Sequence, residues 1–63
     1  MDTKNLILHQ WYFDTFYKSK VRFYGQEPTG EKRFVFMTDA PSYLEIIYTK
    51  EKTENYITQN QQP

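Results

Sequence analysis

Alternating apolar and polar side chains mark two stretches in the middle of the chain, KSKVRFYG and KRFVFMT. In the first stretch Val21 and Phe23 alternate with basic and polar residues. In the second, Phe34 and Phe36 alternate with Arg, Val and Met. Because successive side chains of a β-strand point to opposite faces, each stretch predicts a strand that carries its apolar pair on one face.

The residues between these two stretches predict a reverse turn. The letters EPTG, at positions 27–30, fit a type I turn, in which proline at the second position fixes φ and glycine takes the fourth. We therefore predict a β-hairpin over residues 18–38. Four side chains lie together beneath its sheet in this prediction, namely Val21, Phe23, Phe34 and Phe36.

The segment YLEIIYTKEKTENYITQ, residues 43–59, fits two interpretations. Ser42 and Glu45 have the spacing of a capping box, which predicts a helix that begins at Tyr43. The residues IIYT instead favour a strand, because β-branched and aromatic side chains lose χ1 freedom in a helix. We prefer strand–turn–strand, with KEKTE as the turn and NYITQ as the returning strand. Every second residue of the first strand then faces the core, namely Leu44, Ile46 and Tyr48.

The first segment, TKNLILHQWYFDTFYK at residues 3–18, fits neither the helical nor the strand period. Its apolar side chains surround a helix and fill both faces of a strand. They predict an element buried on all sides, at the centre of the fold or in a dimer interface. Asp2 or Thr3 offers a helix cap, whereas the aromatic density of WYFDTFY favours a strand, which we prefer.

Together these patterns predict a mainly β fold. We expect a small antiparallel meander of about four or five strands, with rolling toward a small barrel as a variant. The alternative is an α+β fold, in which one N-terminal helix packs on an antiparallel sheet of about three or four strands. We assign residues 1–59 to a single small domain and residues 60–63 to a frayed polar tail.

Size and composition restrict how such a domain is stabilised. A chain of 63 residues buries only roughly 60% of the surface that its unfolded form exposes. Cysteine is absent, which excludes disulfides, thiolate catalysis and cysteine-ligated zinc. His9 is the only histidine, so a two-histidine metal site is also excluded. Oligomerisation is the remaining way to stabilise such a small domain, and we predict a homodimer.

Charge and hydropathy bear on partners and location. Eight cations balance eight anions, which counts against a general nucleic-acid binder, because such proteins are normally basic. The longest apolar run, FVFM, is far shorter than a membrane span. The first residues, MDTKNLIL, lack the basic start and apolar centre of a signal peptide. We therefore expect a cytoplasmic location and no membrane association.

Residues that carry catalytic chemistry are few and scattered. His9 lies between Leu8 and Gln10, which favours a structural role for its ring. The carboxylates show no paired spacing that indicates a ligand set. Gly25 and Gly30 form no phosphate-binding loop. We expect no enzymatic activity, no metal and no cofactor.

The composition therefore predicts a small protein-interaction module, such as an accessory factor or inhibitor of a larger protein or complex. Protein interfaces favour Tyr, Trp, Arg and Met, and this chain is rich in aromatic residues. The candidate contact residues are aromatic or methionine side chains, namely Trp11, Tyr12, Tyr17, Tyr24, Met37, Tyr43 and Tyr48.

Single-stranded nucleic-acid binding is the alternative function. The outer face of the hairpin combines cations with an aromatic ring, and bases stack on such rings for roughly 1–3 kcal/mol each. The candidate residues are Lys18, Lys20, Arg22, Tyr24 and Arg33. The simpler interpretation is a solvated sheet exterior in which Glu45 lies opposite Arg33, since cross-strand charge pairs are common there. The neutral charge of the chain favours the simpler interpretation.

Overall fold

Five antiparallel strands form one sheet in the computed structural model, which describes residues 1–59. The order of strands across the sheet is β4-β3-β2-β1-β5. A 3-10 helix, Thr3–Asn5, precedes the sheet, and helix α1, Lys50–Tyr56, connects β4 to β5. The strands are β1 Trp11–Asp14, β2 Ser19–Gln26, β3 Phe34–Thr38, β4 Glu45–Tyr48 and β5 Ile57–Thr58.

This architecture confirms the predicted mainly β meander. Within residues 1–59 the edge strands β4 and β5 do not pair with each other, so the sheet stays open and the barrel variant is not formed. The N-terminal helix of the α+β alternative is reduced to the single 3-10 turn. The tail predicted at residues 60–63 lies outside the described residues.

The predicted hairpin is formed by β2 and β3. Phe23 lies opposite Phe36 in the antiparallel register, with both rings on the same face of the sheet. Val21 and Phe36 are completely buried, while Phe23 and Phe34 are 7% and 8% exposed. The alternation of side chains in the sequence was therefore sufficient to identify the centre of the core.

The hairpin turn lies further along the chain than the sequence predicted. Glu27 N–H donates to the carbonyl of Arg33 at 2.8 Å, so pairing continues beyond the end of β2. The turn instead closes from Thr29 to Lys32, where Lys32 N–H donates to the carbonyl of Thr29 at 3.3 Å. The turn predicted at 27–30 therefore lies two residues further on, at 29–32, where Gly30 takes the second position with φ +69 and not the fourth.

A bulge in β2 shifts the register of the hairpin between Phe23 and Gly25. Gly25 lies opposite Val35, which leaves Tyr24 as the additional residue on β2. Gly25 has φ +105, a backbone conformation that other L residues rarely adopt. The glycine is therefore what allows the strand to include the extra residue.

Residues 43–59 form strand–helix–strand, so the predicted turn KEKTE is wrong. Thr49 caps α1, because its Oγ1 accepts from Lys52 N–H at 3.2 Å. The capping box at Ser42 is not used to begin a helix. After α1 the chain enters β5, which pairs with β1 and does not return along β4.

The predicted core face of β4 is confirmed for Ile46 and Tyr48, which are 9% and 6% exposed. It is wrong for Leu44, whose side chain is 62% exposed. Leu44 precedes the strand and follows Tyr43, which has φ +49, so the alternation has not yet begun there.

The N-terminal segment is strand only at β1, and it is not buried on all sides as predicted. Four of its large side chains are 54–58% exposed, namely Ile7, Leu8, Phe16 and Tyr17. The chain turns directly after β1, because Asp14 Oδ1 accepts hydrogen bonds from the backbone N–H groups of Phe16 and Tyr17. Such a turn ends the strand and places its aromatic neighbours in solvent.

Helix α1 and the N-terminal segment cover the core face of the sheet. Met1, Leu6 and Tyr56 pack against the buried cluster, and the N-terminal amine of Met1 donates to the carbonyl of Glu54 at 2.9 Å. Eight buried side chains form this cluster, namely Tyr12, Val21, Phe23, Phe34, Phe36, Ile46, Tyr48 and Ile57.

A buried hydrogen bond crosses the core face between strands that are not neighbours. β1 and β4 are separated by two strands, yet Tyr48 Oη donates to Asp14 Oδ2 at 2.6 Å. The sheet must therefore curl around the core until the Tyr48 side chain reaches β1. Burial raises the pKa of Tyr48, and the hydrogen bond to the Asp14 carboxylate raises it further.

We expect the pH dependence of stability to report this hydrogen bond. Unfolded tyrosine ionises at about pH 10. Folded Tyr48 keeps its proton there, so the stability that Tyr48 contributes is present below about pH 10 and is lost as the pH rises. The free energy of unfolding should fall by up to about 1.4 kcal/mol per pH unit for this one proton. Denaturant unfolding between about pH 9 and about pH 11.5 measures the loss.

The comparison variants are Tyr48→Phe, which removes the buried hydroxyl, and Tyr43→Phe, which removes a hydroxyl from a side chain that is 61% exposed. Tyr48→Phe should show a weaker alkaline loss than wild type, and it should cost about 1–3 kcal/mol near neutral pH because Asp14 loses a donor. Tyr43→Phe should behave as wild type. The same alkaline loss in wild type and Tyr48→Phe would contradict this assignment.

Candidate functional site

The face of the sheet opposite the core carries a second set of large side chains. The alternation that buries one residue of each strand sends its neighbour to this side. We call this surface the outer face, and its side chains are exposed or half-buried. Its members are Trp11 and Phe13 on β1, Lys20 and Arg22 on β2, Val35 and Met37 on β3, and Glu45 and Ile47 on β4.

The centre of the outer face is apolar. Val35 lies directly opposite Ile47 in the β3–β4 register, and Ile47 is 38% exposed. Met37 lies between Arg22 on β2 and Glu45 on β4. An apolar strip therefore runs across β3 and β4, with a cation on one side and a carboxylate on the other.

One corner of the outer face combines cations with aromatic rings. Lys20 Nζ lies 4.8 Å from the centre of the Trp11 ring, and the Arg22 guanidinium carbon lies 5.4 Å from it. Arg22 Nε also donates to the carbonyl of His9 at 2.9 Å. The His9 ring packs edge-on against Tyr24, with 5.4 Å between ring centroids. We call these five residues the basic-aromatic corner.

Two of the predicted contact residues lie in the core and are not available to a partner. Tyr12 is 3% exposed and Tyr48 is 6% exposed. Their hydroxyl groups find partners inside the protein, since Tyr12 Oη accepts from Ile7 N–H at 2.8 Å and Tyr48 Oη donates to Asp14. The alternation of side chains along a strand does not predict either of these hydrogen bonds, so the sequence pattern gave no sign of them.

The other predicted contact residues are accessible but do not form one surface. Trp11 and Met37 lie on the outer face, and Tyr24 is 42% exposed at the bulge beside them. Tyr17 and Tyr43 are 56% and 61% exposed, and each lies on a loop outside the sheet. The structure thus brings together only part of the predicted set.

The outer face also includes apolar side chains that the sequence analysis did not select as candidates. Phe13, Val35 and Ile47 all lie on it. These positions can be identified because each directly follows or precedes a buried residue in its strand. Ile46 and Ile47, for example, necessarily point to opposite faces once β4 is a strand. The sequence prediction selected interface residues by type, mainly tyrosine and tryptophan, and therefore did not include these three positions.

The residues predicted to bind nucleic acid are divided in the same way. Lys20, Arg22 and Tyr24 meet at the basic-aromatic corner, whereas Lys18 lies in the turn before β2. Arg33 donates from Nε and Nη2 to the two carboxylate oxygens of Glu27, each at 3.1 Å. These hydrogen bonds lower the pKa of Glu27 and raise the pKa of Arg33.

The predicted pairing of Arg33 with Glu45 is therefore wrong. Glu45 lies opposite Met37 in the register of β3 and β4. Arg33 precedes β3, and the continuation of the hairpin ladder brings it to Glu27. The charge that balances Arg33 thus comes from its own hairpin and not from the neighbouring strand.

Two further features of residues 1–59 bear on the chemistry. No group of three or more His, Cys, Asp or Glu side chains is placed to hold a metal ion in this part of the chain. No helix there is long and apolar enough to cross a membrane. His9, the only histidine, is exposed, and its ring lies beside Tyr24.

Comparison with known proteins adds no functional information. No protein-family model, no curated protein and no solved structure matches the chain. Function therefore has to be inferred from the surfaces of the sheet.

The basic-aromatic corner makes a prediction about the fluorescence of Trp11, the only tryptophan. Because two cations lie over its ring, iodide should be concentrated there and caesium repelled. We expect the iodide quenching constant to exceed the caesium constant by roughly two- to threefold at low, constant ionic strength.

A charge-matched pair of variants separates this local effect from the total charge. Lys20→Gln/Arg22→Gln should bring the two quenching constants together, whereas Lys50→Gln/Lys52→Gln, on α1, should leave their ratio unchanged. Both variants remove the same charge. Similar quenching of the wild type by iodide and caesium would show that the cations do not lie over Trp11 in solution.

Proposed function

We propose that this chain is a non-catalytic protein-interaction module whose partner binds the outer face of the sheet. The observation that carries the proposal is the apolar strip of Val35, Met37 and Ile47 on adjacent strands. The opposite face of the same sheet is already filled by the protein's own core. A second apolar surface is then available for contact with another molecule.

The charges around the strip indicate which charges the surface of the partner should carry. Lys20 and Arg22 flank it on the β2 side, and Glu45 flanks it on β4. A complementary surface has an apolar centre with acidic side chains placed opposite the basic-aromatic corner. Such charges mainly set orientation and association rate, while the apolar and aromatic centre supplies the affinity.

A protein partner fits this surface better than a single nucleic-acid strand. The Trp11 ring already has Lys20 and Arg22 over it, so a base must displace one of them to stack there. Arg33 is bound to Glu27, and the chain has no net positive charge. These features reduce both the stacking and the phosphate contacts on which strand binding depends.

The role that follows from this surface is that of an accessory factor or inhibitor, which acts by occupying the surface of a larger protein. Binding alone produces such an effect, and no reactive group is needed. We also propose a cytoplasmic location, as the sequence predicted. A chain without cysteine forms no disulfides and therefore needs no oxidising environment.

The test uses a variant that makes the strip polar and keeps strand-forming residues. Val35→Thr/Met37→Thr replaces apolar groups on β3 with hydroxyl groups, and threonine is well suited to strands. The immobilised wild type should retain one stoichiometric protein from an extract of its source cells. The variant should bind that purified protein about tenfold or more weakly, because central interface residues contribute more than about 1 kcal/mol each.

The matched control is Ile7→Thr/Phe16→Thr, which alters two apolar side chains that are each 58% exposed and lie outside the outer face. It should bind as wild type. Equal binding by the outer-face variant would overturn the proposal. So would a change in Trp11 fluorescence on adding a mixed-sequence DNA oligonucleotide that disappears with salt, since this result indicates strand binding.

A further inference from the structure

The outer edge of β4 presents backbone groups that the sheet does not use. β4 pairs only with β3 within the described residues. Leu44 O accepts from Thr38 N–H at 2.9 Å, so Leu44 belongs to the residues that bond toward β3. Because antiparallel residues alternate between bonding toward one neighbour and the other, Ile46 and Tyr48 also bond toward β3. The N–H and C=O groups of Glu45 and Ile47 are therefore directed away from the sheet.

This edge has one charged side chain, Glu45, and is otherwise apolar. Its sequence, EIIY, contains no proline and no lysine, and its pairing with β3 shows no register shift. Three apolar side chains along it are exposed, with Tyr43 at 61%, Leu44 at 62% and Ile47 at 38%. Open, apolar edges of this kind are templates for a further strand. The opposite edge is formed by β5, which is only two residues long.

We propose that the β4 edge pairs with the β4 edge of a second copy of this chain, antiparallel and about a two-fold axis through Ile46. Glu45 of each copy then lies opposite Ile47 of the other. The two sheets join into one sheet with both core faces on the same side. This inference rests on the β4 edge alone and does not depend on the function proposed for the outer face.

The spacing of the outward groups favours a second copy as the occupant. Glu45 and Ile47 stand at equal distances on either side of Ile46, so a two-fold axis there exchanges them. All of their outward N–H and C=O groups then find partners across the axis. Residues that lie opposite each other across the axis are on the same face of the joined sheet. Positions that face the core in one copy therefore lie beside core-facing positions of the other, and the same holds for the outer face. Symmetric, self-complementary contacts of this kind are the commonest in homo-oligomers.

The same register bears on an exposed side chain next to β4. It brings Leu44, which directly precedes the strand, close to Tyr48 of the second copy at the end of the contact. Glu45 is the only charged residue in β4, and it lies opposite an isoleucine and not opposite the other Glu45. The formal net charge of +0 adds no general repulsion between copies. An interface of this small size is consistent with a dissociation constant of roughly 1–100 μM.

Sedimentation equilibrium from about 1 μM to about 500 μM, a range set by this expected affinity, tests the dimer. The mass should rise from 7.7 kDa toward twice that value as concentration increases. Ile47→Glu should weaken association at least about tenfold, because it places two carboxylates opposite each other at each end of the contact. Ile47 is already part-exposed, so the variant should fold, and its circular dichroism spectrum checks this.

A charge exchange tests the register. Glu45→Lys/Ile47→Glu should restore dimerisation, because the introduced lysine of one copy then meets the introduced glutamate of the other. Ile47→Pro should abolish dimerisation while the β3–β4 bonds remain, because the Ile47 N–H points outward and proline is tolerated at such edge positions. A monomer at all concentrations would overturn the proposal. So would a dimer that Ile47→Glu does not weaken or that the double variant does not restore.

Discussion

The hydrogen bond from Tyr48 to Asp14 holds together the parts of this small fold that are far apart in the sheet. It joins β4 to β1 across the core face, at 2.6 Å. The same carboxylate accepts the backbone N–H groups of Phe16 and Tyr17, which end β1 in a turn. A buried carboxylate is tolerated only when its oxygens are hydrogen-bonded. One side chain thus sets both the length of β1 and the curl of the sheet.

The curl separates a buried face of the sheet from its accessible outer face and its open edge. The concave face encloses the aromatic core, and α1 spans from one edge strand to the other. The outer face keeps an apolar strip and the basic-aromatic corner on its surface. The β4 edge pairs with no further strand among residues 1–59, and the chain leaves the sheet after Tyr48 to form α1. Both of our proposals use these accessible surfaces.

Local patterns predicted the elements whose neighbours in sequence are also neighbours in space. Alternation identified the β2–β3 hairpin and its four core residues, and β-branched residues identified β4. The seven residues of α1 are too few for a periodic pattern, and its cap at Thr49 was not among the caps that the sequence predicted. The pairing of β5 with β1 and the buried hydrogen bond from Tyr48 to Asp14 depend on contacts between distant residues. Alternation along a strand contains no information about such contacts.

The most direct measurement of the central claim is the NMR signal of the Tyr48 hydroxyl proton. A hydroxyl that is buried and bound to Asp14 should exchange slowly enough with water to be observed near neutral pH. It should show cross-relaxation to the amide protons of Phe16 and Tyr17, which share the same carboxylate. A Tyr48 hydroxyl in rapid exchange with solvent, with no cross-relaxation to those amides, would contradict the curled sheet on which the account rests.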